Sequence, residues 1–167
     1  ANDPVVLAKA RSEEDPMLSW LVADCKKQHF SGRGYGVENG LRSQIWTKSP
    51  LQRLKTEADG RDCRADACMY DLADDEGNPW QKSYRFMTDI PLRSARRTCQ
   101  GHGTKQHAKL EGGKNCARTA VYTVKLCRAL VADICNFIKK LLPSNTVSVL
   151  DTPSGFSSVF PSGSLQC

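Results

Sequence analysis

Two cysteines and two histidines lie close together in one glycine-rich stretch, with the spacing Cys99-x2-His102-x4-His107-x8-Cys116. Thiolate sulfur and imidazole nitrogen are the ligands that zinc prefers, and four of them complete a tetrahedral site. Because the stretch lacks a hydrophobic core, a metal ion would replace that core. The spacing differs from the common zinc-finger patterns. The alternative is therefore that His102 and His107 are solvated loop residues.

A second candidate site is the pair Glu38 and Asn39, at the end of a very short predicted strand. In α/β sheets, residues that contact ligands lie at the carboxyl ends of strands. A carboxyl group whose pKa is raised by burial could donate a proton to a heterocycle there. The alternative is an ordinary turn, because Asn39-Gly40 suits a positive φ.

The charge is unevenly distributed along the chain. Lys and Arg number 24 against 18 Asp and Glu, a net charge of +6. Acidic residues cluster around 12–15 and 71–76, whereas basic residues concentrate in the middle of the chain, up to Arg118. This balance is compatible with a polyanionic partner without requiring one. The candidate nucleic-acid-binding residues are Lys82, Arg93, Arg96, Arg97, Lys105, Lys109 and Lys114.

Hydrophobic periodicity and turn residues predict the order helix, strand, helix, strand, strand, helix, which is typical of an α/β fold. The first helix is expected to begin at Asp15-Pro16, as N-cap and first helical residue. Pro50 should split the second helix or start its second piece. The predicted ranges are 15–32, 43–57 and 117–142 for the helices, and 35–40, 61–70 and 81–88 for the strands.

The strand at 81–88 is expected to turn Tyr84 and Phe86 to one side, with Ser83, Arg85 and Met87 on the other. In the last helix, apolar residues recur at alternating four- and three-residue steps between Ala120 and Leu141. A single helix of this kind packs on a sheet more often than it pairs with another helix.

The length predicts one domain. We divide the chain into an N-terminal arm at 1–11, an α/β domain at 12–142 with the Cys/His loop at 99–116, and a Ser/Pro/Gly-rich tail at 143–167. No apolar run approaches the roughly 20 residues that span a bilayer, and the chain opens without a secretory pattern. Several of the eight cysteines fall at apolar positions of helices. We therefore expect free thiols in an intracellular protein.

Four short segments occur in a fixed order along the chain: Val37–Gly40, Ser43–Trp46, Cys68–Tyr70 and Lys82–Thr88. Together they resemble Glu-Asn-Pro, a Trp-bearing segment, Cys-x-Tyr-Gly and Lys-Pro-Thr-Arg-x-x-Thr-Asn. That pattern belongs to the C-terminal half of phage- and retroelement-type DNA cytosine-C5 methyltransferase-like proteins, including dinoflagellate open reading frames. Three positions depart from that pattern: Gly40 replaces its Pro, Asp71 replaces its Gly, and Ser83-Tyr84 replaces its Pro-Thr.

The resemblance implies a partial Rossmann-like methyltransferase sheet with flanking helices and a long C-terminal amphipathic helix. In that family the Glu protonates the flipped cytosine and an Arg holds the carbonyl of the base. By resemblance, Glu38, Asn39 and Arg85 would be the vestiges of that catalytic site.

The parts that perform methyl transfer are missing from the sequence before Glu38. No Gly-rich loop for S-adenosylmethionine is seen there, no Pro-Cys pair supplies the thiolate nucleophile, and only 34 residues precede Tyr35. Phosphate-loop, dinucleotide and hydrolase motifs are absent as well.

We therefore expect a non-catalytic or partial methyltransferase-like domain, not an enzyme by itself, that binds nucleic acid through its central basic region. The alternative is a structural or accessory subunit of a larger assembly, whose partners are other protein chains. A third reading is an enzyme completed by a second chain.

Overall fold

The computed structural model describes residues 3–110, 115, 117 and 119–142. The predicted Lys114, Cys116, Arg118 and tail at 143–167 lie outside these residues. The described helices and strands are α1 (Pro4–Phe30), β1 (Gly36–Gly40), α2 (Ser49–Glu57), β2 (Arg61–Asp66), β3 (Ser83–Thr88) and α3 (Val124–Leu141). Two 3-10 turns, Gln44–Thr47 and Ala67–Tyr70, precede α2 and follow β2. The predicted α/β composition with a C-terminal helix is confirmed.

The sheet has three antiparallel strands in the order β1-β3-β2. Both outer strands pair with the central strand: Glu38 and Cys63 lie on either side of Phe86. The prediction of a Rossmann-like sheet is therefore wrong. β1 and β2 do run in the same direction, as a strand-helix-strand unit suggests, but β3 inserts between them and pairs antiparallel with each.

The two faces of the sheet carry separate apolar clusters, because successive side chains of a strand point to opposite sides. On one face, Val37 of β1 and Met87 of β3 pack with α1 and α2. On the other face, Tyr84 and Phe86 pack with Leu126 of α3. The predicted alternation along β3 is confirmed, and the sheet lies between two helical layers.

Helix α1 begins at Pro4, well before the predicted start at Asp15-Pro16. Asp3 caps it, because its Oδ1 accepts a hydrogen bond from the Val5 amide at 2.8 Å. The chain thus contains the same Asp-Pro start signal twice and uses the first one. Pro16 is internal to the helix, and Ser19 Oγ donates to the Asp15 carbonyl at 2.9 Å.

The remaining boundaries differ from the prediction by a few residues. Pro50 lies in the first turn of α2 and separates it from the preceding 3-10 turn, as predicted. α3 starts at Val124 instead of 117, because the Thr123 hydroxyl accepts from the Leu126 amide at 3.3 Å and caps the helix. Along the described residues, none of the helices combines the length and apolar character that a membrane crossing requires.

Candidate metal centre and its cavity

Four side chains converge at the end of β2: Cys68, Cys99, His102 and His107, whose ligand atoms all lie within 4.8 Å of one another. Cys99 Sγ is 3.2 Å from His102 Nε2 and 3.6 Å from His107 Nε2, and His107 Nε2 is 3.4 Å from Cys68 Sγ. Zinc bonds of about 2.3 Å to sulfur and 2.0–2.1 Å to nitrogen place tetrahedral ligand atoms about 3.5 Å apart. The three separations of 3.2–3.6 Å are close to that spacing, and the limit of 4.8 Å for the remaining pairs leaves room for small movements of the ligands around an ion.

Sequence reasoning missed Cys68 as a ligand. Cys68 lies in the 3-10 turn after β2, 39 residues before His107. Local spacing rules, which find ligands within one loop, do not reach it. The predicted fourth ligand, Cys116, lies outside the described residues.

The loop that carries the other three ligands depends on glycines at two turns. Gly101 and Gly103 have φ values of +104° and +63°, which glycine adopts without a steric penalty. The Gly101 amide donates to Cys99 Sγ at 3.2 Å, and the Lys105 amide closes a turn on the His102 carbonyl at 3.2 Å. These turns bring the His102 ring against Cys99.

Asp66, the last residue of β2, connects the sheet to this loop. Its buried carboxylate accepts from the Cys99 amide at 2.8 Å and from the Arg64 guanidinium at 2.8 and 2.9 Å. Burial by itself would raise the pKa of Asp66, but hydrogen bonds from Arg64, Ser83 and the Cys99 amide outweigh burial and hold the pKa below its usual range. Asp66 thus positions a metal ligand as an ionised carboxylate.

The far end of the loop is fastened to the segment before β3. The Ala108 amide donates to the Pro79 carbonyl at 2.9 Å, and the Gln81 amide donates to the Ala108 carbonyl at 3.0 Å. Trp80 between them is buried. The loop is therefore attached to the domain at both ends, and its ligands face Cys68.

The two cysteines of the cluster oppose each other as anions. Burial, followed by the hydrogen bond and charge of Cys99, raises the pKa of the Cys68 thiol to about 12. A divalent cation bound between two thiolates and two neutral imidazoles removes that repulsion and leaves no net charge. The cluster could therefore hold a metal ion such as zinc.

The Cys/His cluster forms one wall of a cavity of about 670 Å³. Cys68, Cys99 and His107 line this wall, and among the residues that the structure describes Asp66 is the one carboxylate in the lining. Four cationic side chains line the rest: Arg42, Arg64, Lys82 and Lys109.

Two of these cations have partners within the domain, and the other two have none among the described residues. Arg64 pairs with Asp66. Lys82 donates to the Thr119 carbonyl and lies 5.0 Å from the Tyr84 ring centre. Arg42 and Lys109 are exposed and are therefore available to a ligand. Sequence reasoning missed Arg42 and Arg64, which approach the loop only through the sheet pairing.

The other predicted nucleic-acid-binding residues lie around this cavity or away from it. Arg93, Arg96 and Arg97 are exposed on the segment that leads from β3 to the metal loop. The Arg97 guanidinium lies 5.7 Å from the Tyr70 ring centre. Lys105 reaches the Gly77 carbonyl at 3.1 Å, across the acidic loop.

The structure does not bring Glu38 and Arg85 together, because they lie on opposite faces of the sheet. Arg85 pairs with Asp62 through two hydrogen bonds of 2.9 Å and stacks 4.7 Å from the Trp46 ring centre. Glu38 lies on the other face near Tyr122. Burial, followed by the hydrogen bond with Glu38, raises the pKa of Tyr122 well above its usual range.

Asn39, opposite Arg85 in the register, accepts from the amide of Gly40 at 2.7 Å. The three residues assigned by resemblance therefore do not surround a common space.

The chain matches no protein-family model, no curated protein sequence and no solved structure. The resemblance to cytosine-C5 methyltransferase-like proteins stays a prediction.

Proposed function

We propose that this chain is a domain with a structural zinc site, and that it binds the phosphate backbone of nucleic acid without catalysing a reaction on it. The observation that carries the proposal is the cavity in which four cationic side chains surround a wall made by the Cys/His cluster. Zinc, held by Cys68, Cys99, His102 and His107, would fix the loop that forms this wall.

The balance of charge in the cavity supports an anionic ligand. A zinc ion with two thiolates and two imidazoles adds no net charge, and Asp66, the one carboxylate among the described lining residues, is already paired with Arg64. Within the described lining, no further carboxylate offsets the charges of Arg42, Lys82 and Lys109. Lysine and arginine bind phosphate oxygens through charge-assisted hydrogen bonds, and such contacts are the larger part of protein–DNA hydrogen bonding.

Basic residues outside the cavity favour a polymer over a single phosphate. The Asp66 amide donates to the Arg97 carbonyl at 2.8 Å, which holds the arginine segment beside the edge strand β2. Arg93, Arg96 and Arg97 therefore approach the metal loop along the chain, and two of them precede Cys99 by only a few residues. A nucleic-acid backbone could therefore contact both the cationic residues of the cavity and the arginine segment.

The test is a titration of labelled single- and double-stranded DNA with the zinc-loaded protein at several salt concentrations, followed by fluorescence anisotropy. Affinity should fall steeply with salt, and Arg42→Gln or Lys109→Gln should each lower the log–log slope by about 0.9 for duplex or 0.7 for single strands. Arg53→Gln, an exposed charge on α2, is the matched control. Failure of the folded protein to bind at low salt would refute the proposal.

A structural role in a larger assembly is the second candidate. It is favoured by large apolar side chains that α3 leaves exposed, including Val124 and Val131. Native mass spectrometry of protein purified from its source separates the two candidates: a stoichiometric complex with other chains, together with no affinity for DNA, would favour the structural role.

A further inference from the structure

Helix α3 carries two apolar faces, and the residues that the structure describes cover only one of them. Leu126 is buried against the sheet, and Ala129 and Leu130 pack beside it. Asp133 on the same side is buried and accepts from the Ser94 amide at 2.8 Å and the Ala95 amide at 3.0 Å. These contacts fix the orientation of the helix on its own domain.

The second face repeats with a period of seven residues. Val124, Val131 and Ile138 are spaced by sevens, and Cys127, Ile134 and Leu141 repeat three residues after each of them. This is the a/d pattern of a coiled coil, with β-branched residues at every a position. Leu141 is the one d residue of the combination that favours two parallel strands, and Ile134 at the preceding d position also suits higher oligomers, so the number of strands is part of the test below. We call these six residues the α3 seam.

Every residue of the α3 seam is exposed. The five aliphatic members are between 38% and 66% accessible, and Cys127 is exposed as well. A row of this length on one helix exceeds the scattered apolar residues that are normal on a protein surface. A heptad seam packs against a helix with the same repeat, and α3 of a second copy of this chain is such a helix.

We propose that two copies of this chain associate through the α3 seam as a parallel, two-fold symmetric helix pair. A two-fold axis places each seam residue opposite its own copy, so an uncharged seam is complementary to itself. The charged residues on this helix, such as Lys125 and Lys139, fall outside the a/d positions and stay in water.

Packing on the sheet makes a short seam sufficient. A free helix of 18 residues, about 27 Å long, would be marginally ordered in water. Here Leu126 and Asp133 already hold the helix in place, so association does not include the cost of forming it. The dimer is independent of DNA binding, because the seam and the basic cavity involve different residues.

Analytical ultracentrifugation of the full chain, with zinc and reductant, tests the association. The wild type should shift from monomer to dimer as concentration rises. Val131→Asp should remain monomeric at concentrations where Ala132→Asp, the same change on an exposed neighbour off the seam, is still dimeric. Circular dichroism shows that both variants are folded.

A short bis-maleimide cross-linker tests the parallel orientation, because it places Cys127 opposite Cys127. Cross-linked dimer should form in the wild type and in Cys135→Ser but not in Cys127→Ser. Several results would overturn the proposal: a monomer at every concentration, a larger oligomer, a dimer that survives Val131→Asp, or cross-linking that does not need Cys127. If the protein is a monomer and the amides of the seam are nevertheless protected from hydrogen exchange, another part of the same chain covers the seam and the dimer proposal is wrong.

Discussion

The central strand and the metal loop are held in place by different forces. In β3, Tyr84, Phe86 and Met87 are buried on the two faces of the sheet, and apolar packing orders the strand. None of the residues 99–110 is buried to that extent. The loop is ordered by a few backbone hydrogen bonds and by the convergence of four potential metal ligands. We therefore predict that the order of the loop depends on a bound metal and that the order of the sheet does not.

The largest expected effect is that of removing a zinc ligand, which should disorder the metal loop and leave the sheet intact. Structural zinc contributes about 10 kcal/mol or more of apparent binding free energy at neutral pH, so Cys99→Ser should abolish stoichiometric zinc. In hydrogen exchange, segment 99–110 and the Gln81 amide should lose protection, whereas β3 should keep it. Cys135→Ser, on an exposed cysteine of α3, serves as the control and should retain zinc. Equal loss of protection in the loop and the sheet would contradict the comparison.

The second prediction concerns the apolar core, which should lose stability whether or not zinc is bound. Leu54 of α2 is fully buried, and Leu54→Ala should lower the free energy of unfolding by about 2–5 kcal/mol. Urea denaturation should give this loss in the zinc-loaded protein and again in the presence of a chelator. Arg53→Ala, at the exposed neighbour, should cost less than about 0.5 kcal/mol. A loss that depends on the chelator would mean that the two regions are not separate.

Asp66 joins the two regions, and its replacement should have an intermediate effect. Asp66→Asn weakens the hydrogen bonds that orient Cys99, so zinc affinity should fall about 10- to 100-fold, as measured by competition with a chromophoric chelator. Asp62→Asn, on the same strand but paired with Arg85 and Lys55, should leave zinc affinity unchanged. Equal affinities for wild type and Asp66→Asn would remove Asp66 from this role.

The smallest expected effect is the pH-dependent contribution of Asp62, on strand β2, to the stability of the domain. Burial would raise the pKa of Asp62, but hydrogen bonds from Lys55 and Arg85 hold it below its ordinary value, which is about 3.9. Its stabilisation is therefore present above that value and disappears as the pH falls through the lower, folded-state pKa. Asp62→Asn should reduce the melting temperature slightly at pH 7, consistent with up to about 1 kcal/mol for an exposed pair, and not at pH 2. A constant difference between the two proteins across that range would refute the ion pair.

Local signals predicted the existence and order of the elements, although they misplaced the starts of α1 and α3. The pairing between distant segments was not predicted. The alternation of Tyr84 and Phe86 with Arg85 and Met87, and the break at Pro50, depend on neighbouring residues, and both are present. The strand order depends on which segments meet, and periodicity does not record this. The insertion of β3 between β1 and β2 therefore could not be read from the sequence.

The candidate site shows the same division. Cys99, His102 and His107 lie within one loop, so their spacing indicated a metal site. Cys68 joins them only because β2 and the loop meet through Asp66, a contact between segments far apart in the chain. Likewise, Glu38 and Arg85 were grouped by motif order, but the strand register separates them onto opposite faces.

The most direct test of the central claim is X-ray absorption spectroscopy at the zinc edge of the full-length protein, after the bound metal has been counted. The account predicts one zinc per chain with two sulfur and two imidazole nitrogen ligands. Cys68→Ser should remove one of the two sulfurs, whereas Cys116→Ser should leave both. No stoichiometric zinc, or a sulfur count that depends on Cys116 instead of Cys68, would contradict the account.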